Sequence, residues 1–260
     1  MKKLFIIGLA ALCAVTSAQT KKNKKTVPEV SAAQRNATQG ASSATLSLES
    51  IIKKNIEALG GAEKLREAKS AMASGVIYTQ QANVPIKTWM VHNEGLRLDM
   101  QIQGRTNTTV VTPYGAWTLF PAQRQKRAVD SDLATAREGA EELDMTGDLL
   151  DYRNKGNTVE LLGSEDVEGN EAYKLKVTRK SGTTVLLFLD ATSFLLLKRV
   201  IDKTIDGKVT TVTERYSNYA KTPDGYVYAT VCDHSPSGYS IKLIKYEVNA
   251  PVDPKIFEKP

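Results

Sequence analysis

The chain has 260 residues, a formal net charge of +6 and two cysteines. Residues 1–45 hold seven of the 35 basic residues and one of the 29 acidic ones, so the remainder holds 28 of each. A region with balanced charge lacks the basic face of a nucleic-acid-binding domain, which argues against that class. It is long enough to bury a sizeable core.

Residues 1–18 are typical of a secretory signal peptide. Lys2 and Lys3 precede an apolar run, Leu4 to Val15, and small residues follow as far as Ala18, where we place the cleavage. The run is shorter than the ~20 apolar residues of a membrane-spanning helix. A buried N-terminal helix is the alternative. We therefore predict a periplasmic protein that is not integral to a membrane.

Two features follow from this leader. Cys13 would be lipidated in a lipoprotein signal, but Leu12 precedes it where a small residue is needed, so we expect its removal. Cys232 then remains alone, which excludes an intrachain disulfide. Residues 19–45 have too few large apolar side chains to fold and are predicted to form a tether. The Lys21–Lys25 cluster suits anionic lipid headgroups, although a solvated linker is the simpler interpretation.

An ordered domain is predicted over residues 46–260, beginning with a helix. Ser47 is a good N-cap, and Gly60-Gly61 ends the helix. A shorter helical turn over Ala62 to Lys69 follows, with Leu65 pointing inward. Apolar residues at helical spacing form one face: Leu48, Ile51, Ile52, Ile56 and Leu59.

The rest of the domain has the pattern of an antiparallel sheet. Frequent turn signals separate segments in which apolar and polar residues alternate, and such short connections join antiparallel neighbours. We predict a mainly β (α+β) fold of about ten strands, strongly curved or forming a half-open barrel. The hairpin over residues 186–197 is apolar on both faces. One face is expected to pack on the N-terminal helix and the other to line an interior.

Residues 123–152 interrupt the strands with an acidic segment that has no β pattern. We predict two short helices with a break near Gly147. An insertion of this length is often a lid or a binding element. A solvated pair of surface helices is the alternative.

A search for catalytic groups finds one pair. Cys232 and His234 share a strand face and could act as nucleophile and base. A half-buried thiol beside a surface imidazole is the simpler interpretation. Because no known catalytic, phosphate-binding or metal-binding motif is present, we predict no enzyme activity, no cofactor and no metal.

Four segments together resemble a known family. They are Glu57 to Leu65, the strand Asn93 to Met100 with Arg97, the hairpin Gly169 to Leu189, and Tyr246 to Phe257. In these segments the chain resembles the LolA-like periplasmic family, which sorts outer-membrane lipoproteins and shares its fold with LolB and LppX. The resemblance spans about Leu48 to Pro260.

The resemblance implies a half-open β-barrel, closed by helices, with a hydrophobic cavity that holds acyl chains. The inward faces of the alternating strands supply the candidate lining residues: Leu98, Met100, Ile102, Trp117, Leu119, Tyr173, Leu175 and Val177. The helix residues Ile52 and Ile56, together with the insertion, would form the cover.

Three functions remain open at this point. The first is a periplasmic carrier or sensor, expected to be monomeric, for a lipid or lipoprotein acyl chain, serving lipoprotein sorting or a related envelope role. The second is an envelope module with a filled core whose surface binds other envelope proteins. The third is a hydrolase that uses Cys232 and His234.

Overall fold

The computed structural model describes residues 46–205 and 208–260. The predicted leader and tether lie outside the described residues. Within those residues the chain forms three α-helices and thirteen β-strands. No helix in this part of the chain is long and apolar enough to cross a membrane.

The elements follow one another in a simple order. The helices are α1 (Leu48–Ala58), α2 (Ala62–Glu67) and α3 (Leu133–Ala140). The strands are β1 (Ser70–Tyr78), β2 (Asn83–Val91), β3 (Gly95–Ile102), β4 (Arg105–Thr112), β5 (Gly115–Leu119), β6 (Val129–Asp130), β7 (Thr158–Val167), β8 (Asn170–Thr178), β9 (Thr184–Asp190), β10 (Leu196–Ile205), β11 (Lys208–Lys221), β12 (Val227–Ser235) and β13 (Tyr239–Val248). Three 3-10 turns lie at Pro121–Gln123, Glu141–Leu143 and Pro254–Phe257.

All thirteen strands belong to one antiparallel sheet that does not close. Its order is β6-β5-β4-β3-β2-β1-β13-β12-β11-β10-β9-β8-β7. The last strand returns to pair with the first, so the two halves of the chain meet at the middle of the sheet. The antiparallel, mainly β prediction is confirmed, but the count of about ten strands is wrong. Strands such as β6, with two residues, are too short to show an alternating pattern.

The N-terminal helices form as predicted. The side chain of Ser47 accepts a hydrogen bond from the Ser50 backbone N–H at 3.2 Å and caps α1. Ile51 and Ile52 are buried, and Leu65 of α2 is buried as well. The apolar face of α1 therefore lies against the sheet, and α2 continues the same cover.

Helix α1 packs on the half of the sheet from β7 to β11. Ile51 and Ile52 share a core cluster with Leu187 and Leu189 of β9, which confirms the predicted contact between helix and hairpin. The opposite face of β9 meets a packed apolar cluster and not an open interior, since Phe188 is buried there with Val167 and Ala172. Its Phe188 lies beneath the ammonium groups of lysines 174 and 198, because β9 pairs with β8 and β10 on either side.

The insertion differs from its prediction. It begins with the short strand β6, which pairs with β5, and then contains one α-helix, α3, the 3-10 turn, and hydrogen-bonded turns up to residue 156. The prediction of two helices is wrong because the second half makes local side-chain bonds instead. Asp144 accepts hydrogen bonds from the backbone and side chain of Thr146, and Gly147 has a φ of 72°. Such bonds compete with helix formation.

Candidate functional site

A cavity of about 720 Å³ lies between the sheet, helices α1 and α2, and the insertion. This volume is within the range of small-molecule sites, roughly 300–1,000 Å³. Much of its lining is aliphatic. The apolar lining residues are Ile56, Leu59, Leu65, Met145, Leu149, Leu150, Leu187, Leu189 and Leu196.

One wall of the cavity carries a network of buried charges, which we call the charge cluster. Its members are Glu141, Glu142, Asp148, Arg179, Arg199 and Glu214. Arg199 donates to Glu142 at 2.6 Å and to Glu214 at 3.0 Å. Arg179 donates to both oxygens of Asp148, at 2.7 and 3.1 Å. Because Glu142 and Asp148 belong to the insertion, the cluster ties the insertion to the sheet.

The cluster keeps Glu142 and Arg199 ionised. Burial opposes the charge on Glu142, but the neighbouring Arg199, Lys203 and Arg179 outweigh it and hold the pKa of this carboxyl far below its ordinary value. Burial also opposes the charge on Arg199, yet Glu142 and Glu214 raise the pKa of its guanidinium. The Nε of Arg199 is buried without a hydrogen-bond partner among the described residues. In this polar wall four carboxylates share two guanidiniums, and Lys203 lies 3.9 Å from Glu142.

A smaller polar group lines the cavity near the start of the turns. Lys155 contacts Asp144 at 2.5 Å, and the backbone N–H of Met145 donates to Nδ1 of His92 at 3.1 Å. Burial lowers the pKa of His92, although Asp144 opposes this effect. The imidazole is therefore a neutral acceptor at pH 7 that holds the insertion in place.

The predicted lining residues lie in three different apolar clusters. Leu98 and Met100 pack in the core between β1, β2, β3 and β13, with Ile102 beside them. Trp117 and Leu119 pack around Phe257. Leu175 and Val177 pack with Ile52 under α1, with Tyr173 at the margin.

None of the eight predicted strand residues is in the lining of the 720 Å³ cavity, whereas Ile56 of the cover helix is. A contact between those eight residues and a ligand stays a prediction. The sequence carried a signal for some of the residues that do line it. Leu187, Leu189 and Leu196 belong to the hairpin that is apolar on both faces. Leu149 and Leu150 belong to the insertion, where nothing in the pattern indicated their direction.

The Cys232 and His234 side chains are neighbours, with Sγ and Nε2 3.3 Å apart. His234 is buried and stacks on Tyr239, so the expected surface imidazole is wrong. Burial raises the pKa of the thiol, with a further contribution from Glu214. Burial lowers the pKa of the imidazole, against the attraction of Glu214. Both groups are therefore neutral, which is the opposite of an activated thiolate and imidazolium pair.

Known proteins were compared with the chain by sequence and by structure. No family model matches the sequence, and no curated protein matches it. The structure matches a LolA superfamily protein from Nitrosomonas europaea with a TM-score of 0.53 and 16% identity, covering 83% of this chain and 99% of that one.

The protein has a LolA-like fold. A DUF1329 family protein from Desulfovibrio piger is also similar, with a TM-score of 0.51 and 14% identity over 82% of this chain and 98% of that one. The resemblance found in the sequence is thus confirmed at the level of the fold. In this LolA-like fold the cavity lies where helices and insertion cover the curved sheet.

Proposed function

We propose that the protein is a periplasmic carrier that holds a lipid or lipoprotein acyl chain in the 720 Å³ cavity. One observation carries this proposal: nine aliphatic or thioether side chains line a space covered by α1, α2 and the insertion. Burying an acyl chain is worth about 0.8 kcal/mol per CH₂ group. Apolar burial can therefore hold such a ligand in water without catalysis.

The polar wall supports a role in binding rather than in chemistry. The carboxylates and guanidiniums of the charge cluster are paired with one another, and the Cys232 thiol is neutral. The sorting role of LolA-like proteins fits such a carrier. Lipoprotein sorting, or another lipid transfer in the envelope, is the process that we propose it serves.

A matched pair of substitutions tests the proposal. Leu187 lines the cavity, whereas Leu186, the preceding residue of β9, lies on the opposite face of the sheet. Leu187→Trp should fill the cavity and weaken the binding of a fluorescent long-chain fatty acid at least about tenfold, since several CH₂ groups would lose their contacts. Leu186→Trp should leave binding near that of the unmodified protein.

Native mass spectrometry provides the second readout. Protein purified from its host should carry a lipid mass that is lost in Leu187→Trp and retained in Leu186→Trp. An unmodified protein with no bound lipid and no response to the fluorescent probe would refute the carrier function. It would favour the interaction module instead.

A further inference from the structure

The turns that connect neighbouring strands differ in charge between the two ends of the sheet. Because all neighbouring strands are antiparallel, successive turns lie alternately at opposite ends. We call one end the basic end, and define it by the turns 79–82, 103–104, 120–128, 179–183 and 236–238. These turns contain five basic residues and no acidic one: Arg124, Lys126, Arg127, Arg179 and Lys180. The turn at 206–207 belongs to the same end, contains Asp206, and lies outside the described residues.

The turns at the opposite end have the reverse balance. Its turns are 92–94, 113–114, 168–169, 191–195 and 222–226. They contain Glu94, Glu168 and Asp224 but no lysine or arginine. Since residues 46–260 hold equal numbers of basic and acidic residues, this asymmetry comes from the distribution of charge and not from its total.

Four cations of the basic end are exposed: Arg124, Lys126, Arg127 and Lys180. In the described part of the chain, their side chains have neither an ion pair nor a hydrogen-bond partner. Nearby, Arg105 is exposed too and donates only to the backbone carbonyl of Pro121, at 3.0 Å. At the opposite end, by contrast, Glu168 is paired with Arg215 at 2.8 Å. These four exposed charges of the basic end are therefore available to an external anion, whereas Arg179 is paired within the charge cluster.

Two apolar side chains are exposed at the same end of the sheet, and one of them, Val129, follows Arg127 closely in the chain. Tyr78 ends β1 at the basic end with 41% of its surface exposed, and Val129 begins β6 with 51% exposed. Cations interspersed with exposed apolar or aromatic side chains are typical of surfaces that bind the interface of a membrane. Such a surface gains from headgroup attraction and from shallow apolar insertion.

The cavity reaches both ends of the sheet. Lys180 and Ser181, in the turn at 179–183, line it at the basic end, and His92 and Asn93, in the turn at 92–94, line it at the opposite end. A bilayer that contacts the basic end would therefore lie next to one end of the cavity.

We propose that the basic end docks on the surface of an anionic phospholipid membrane. The cations are spread over separate turns, and a fluid array of headgroups can satisfy them without a fixed arrangement of partner groups. Each Lys or Arg close to an anionic surface adds to the attraction, which decays within a Debye length. This proposal does not require an acyl ligand in the cavity.

Vesicle flotation with the purified full chain tests the docking surface. The vesicles are phosphatidylcholine alone, or phosphatidylcholine with about one-third phosphatidylglycerol. The chain should float with the anionic vesicles only, and about 1 M salt should release it, since the Debye length is then only about 3 Å. The triple variant Arg124→Glu/Lys126→Glu/Arg127→Glu should bind at least about tenfold more weakly.

A second triple variant is the matched control. Lys221, Lys242 and Lys255 are exposed, lie outside the turns of the basic end, and change the net charge equally when replaced by Glu. This control should bind anionic vesicles within about twofold of the unmodified chain. Residues 1–45 are the same in every variant, so their lysines contribute equally to the vesicle binding of each protein.

Three results would overturn the proposal. They are no preference of the unmodified chain for anionic vesicles, an equal loss of vesicle binding in both triple variants, or full vesicle binding by the Arg124→Glu/Lys126→Glu/Arg127→Glu variant. The fluorescent fatty acid should bind all three proteins equally. Loss of vesicle binding with intact fatty-acid binding therefore separates this docking surface from the carrier function.

Discussion

Glu214 and Arg199 are among the most deeply buried charged residues in the described chain, with 1% and 3% of their surfaces exposed. Removing two charges from water is costly, and the cost is recovered only when the groups are paired and hydrogen-bonded. Glu142 completes the pairing from the insertion. A buried network of this kind adds less to stability than its number of bonds suggests. Removing one of its members nevertheless lowers the free energy of unfolding strongly.

Glu142→Gln should destabilise the protein by about 3–5 kcal/mol, because it breaks a buried ion pair and leaves the Arg199 guanidinium with Glu214 as its remaining counter-charge. Urea unfolding at pH 7 measures this loss. Glu49→Gln is the control, since the ion pair of Glu49 with Arg153 is exposed and should contribute no more than about 1 kcal/mol. Equal effects of the two substitutions would contradict the structural role of the charge cluster.

The same pair of variants has a predictable pH dependence. The pKa of Glu142 is lowered by folding, so its contribution is complete above the ordinary value of 4.5 and is lost as the pH falls through the folded value. The stability difference between the unmodified protein and Glu142→Gln should therefore persist through mildly acidic conditions. It should decrease progressively once the pH falls below 4.5 and disappear only in strong acid.

At the scale of single elements, α1 is held by more than its apolar face. Asn55 is buried on this helix, and its Nδ2 donates to the backbone carbonyl of Phe194 at 2.7 Å. Phe194 lies in the turn between β9 and β10 with a φ of 62°. One side chain thus connects the cover helix to the hairpin that lines the cavity.

Asn55→Ala should cost about 1–3 kcal/mol, because the carbonyl of Phe194 loses its buried donor. Thermal and urea unfolding measure the change. Asn154→Ala is the matched control, since Asn154 is exposed in a turn and should shift stability by less than about 0.5 kcal/mol. A neutral Asn55→Ala variant would show that the apolar face alone holds α1.

The insertion shows why element type was harder to predict there than in α1. In α1 the cap, the apolar period and the terminating glycines all favour one structure. In residues 141–156 the apolar side chains are scattered, and Asp144 makes local bonds that a helix would exclude. Leu149 and Leu150 point toward the cavity because ion pairs with distant parts of the chain hold this segment in place. A local sequence pattern cannot predict those ion pairs.

At the scale of the whole molecule, the sheet changes register where its two halves meet. Ser74 pairs with Lys245 and Gly75 with Leu243, so Ile244 is an extra residue on β13. A bulge of this kind bends a strand and increases its twist. A Cβ on Gly75 would fall against the carbonyl oxygen of Lys242 and lie 3.0 Å from the Cα of Leu243. The close approach of the two strands requires glycine.

Gly75→Ala should therefore destabilise the protein by at least about 2 kcal/mol, since backbone atoms of β13 must move. Gly115→Ala is the control: a Cβ on Gly115 would meet nothing within 4 Å, and the change should be within about 1 kcal/mol. Denaturant unfolding followed by circular dichroism compares the two. If the variants are equally stable, the bend does not depend on this contact.

The sequence alone determined the local properties of this protein. The cap and period of α1, the alternation of strands such as β8, and the balanced charge of residues 46–260 are encoded by neighbouring residues and elementary spacing. Those features, with the resemblance of four segments, were enough for the LolA-like fold. Only the tertiary structure decided which apolar residues line the cavity. Alternation assigns a residue to a face of the sheet, but packing between distant elements decides whether that face is filled, as at Leu98, or left open, as at Leu187.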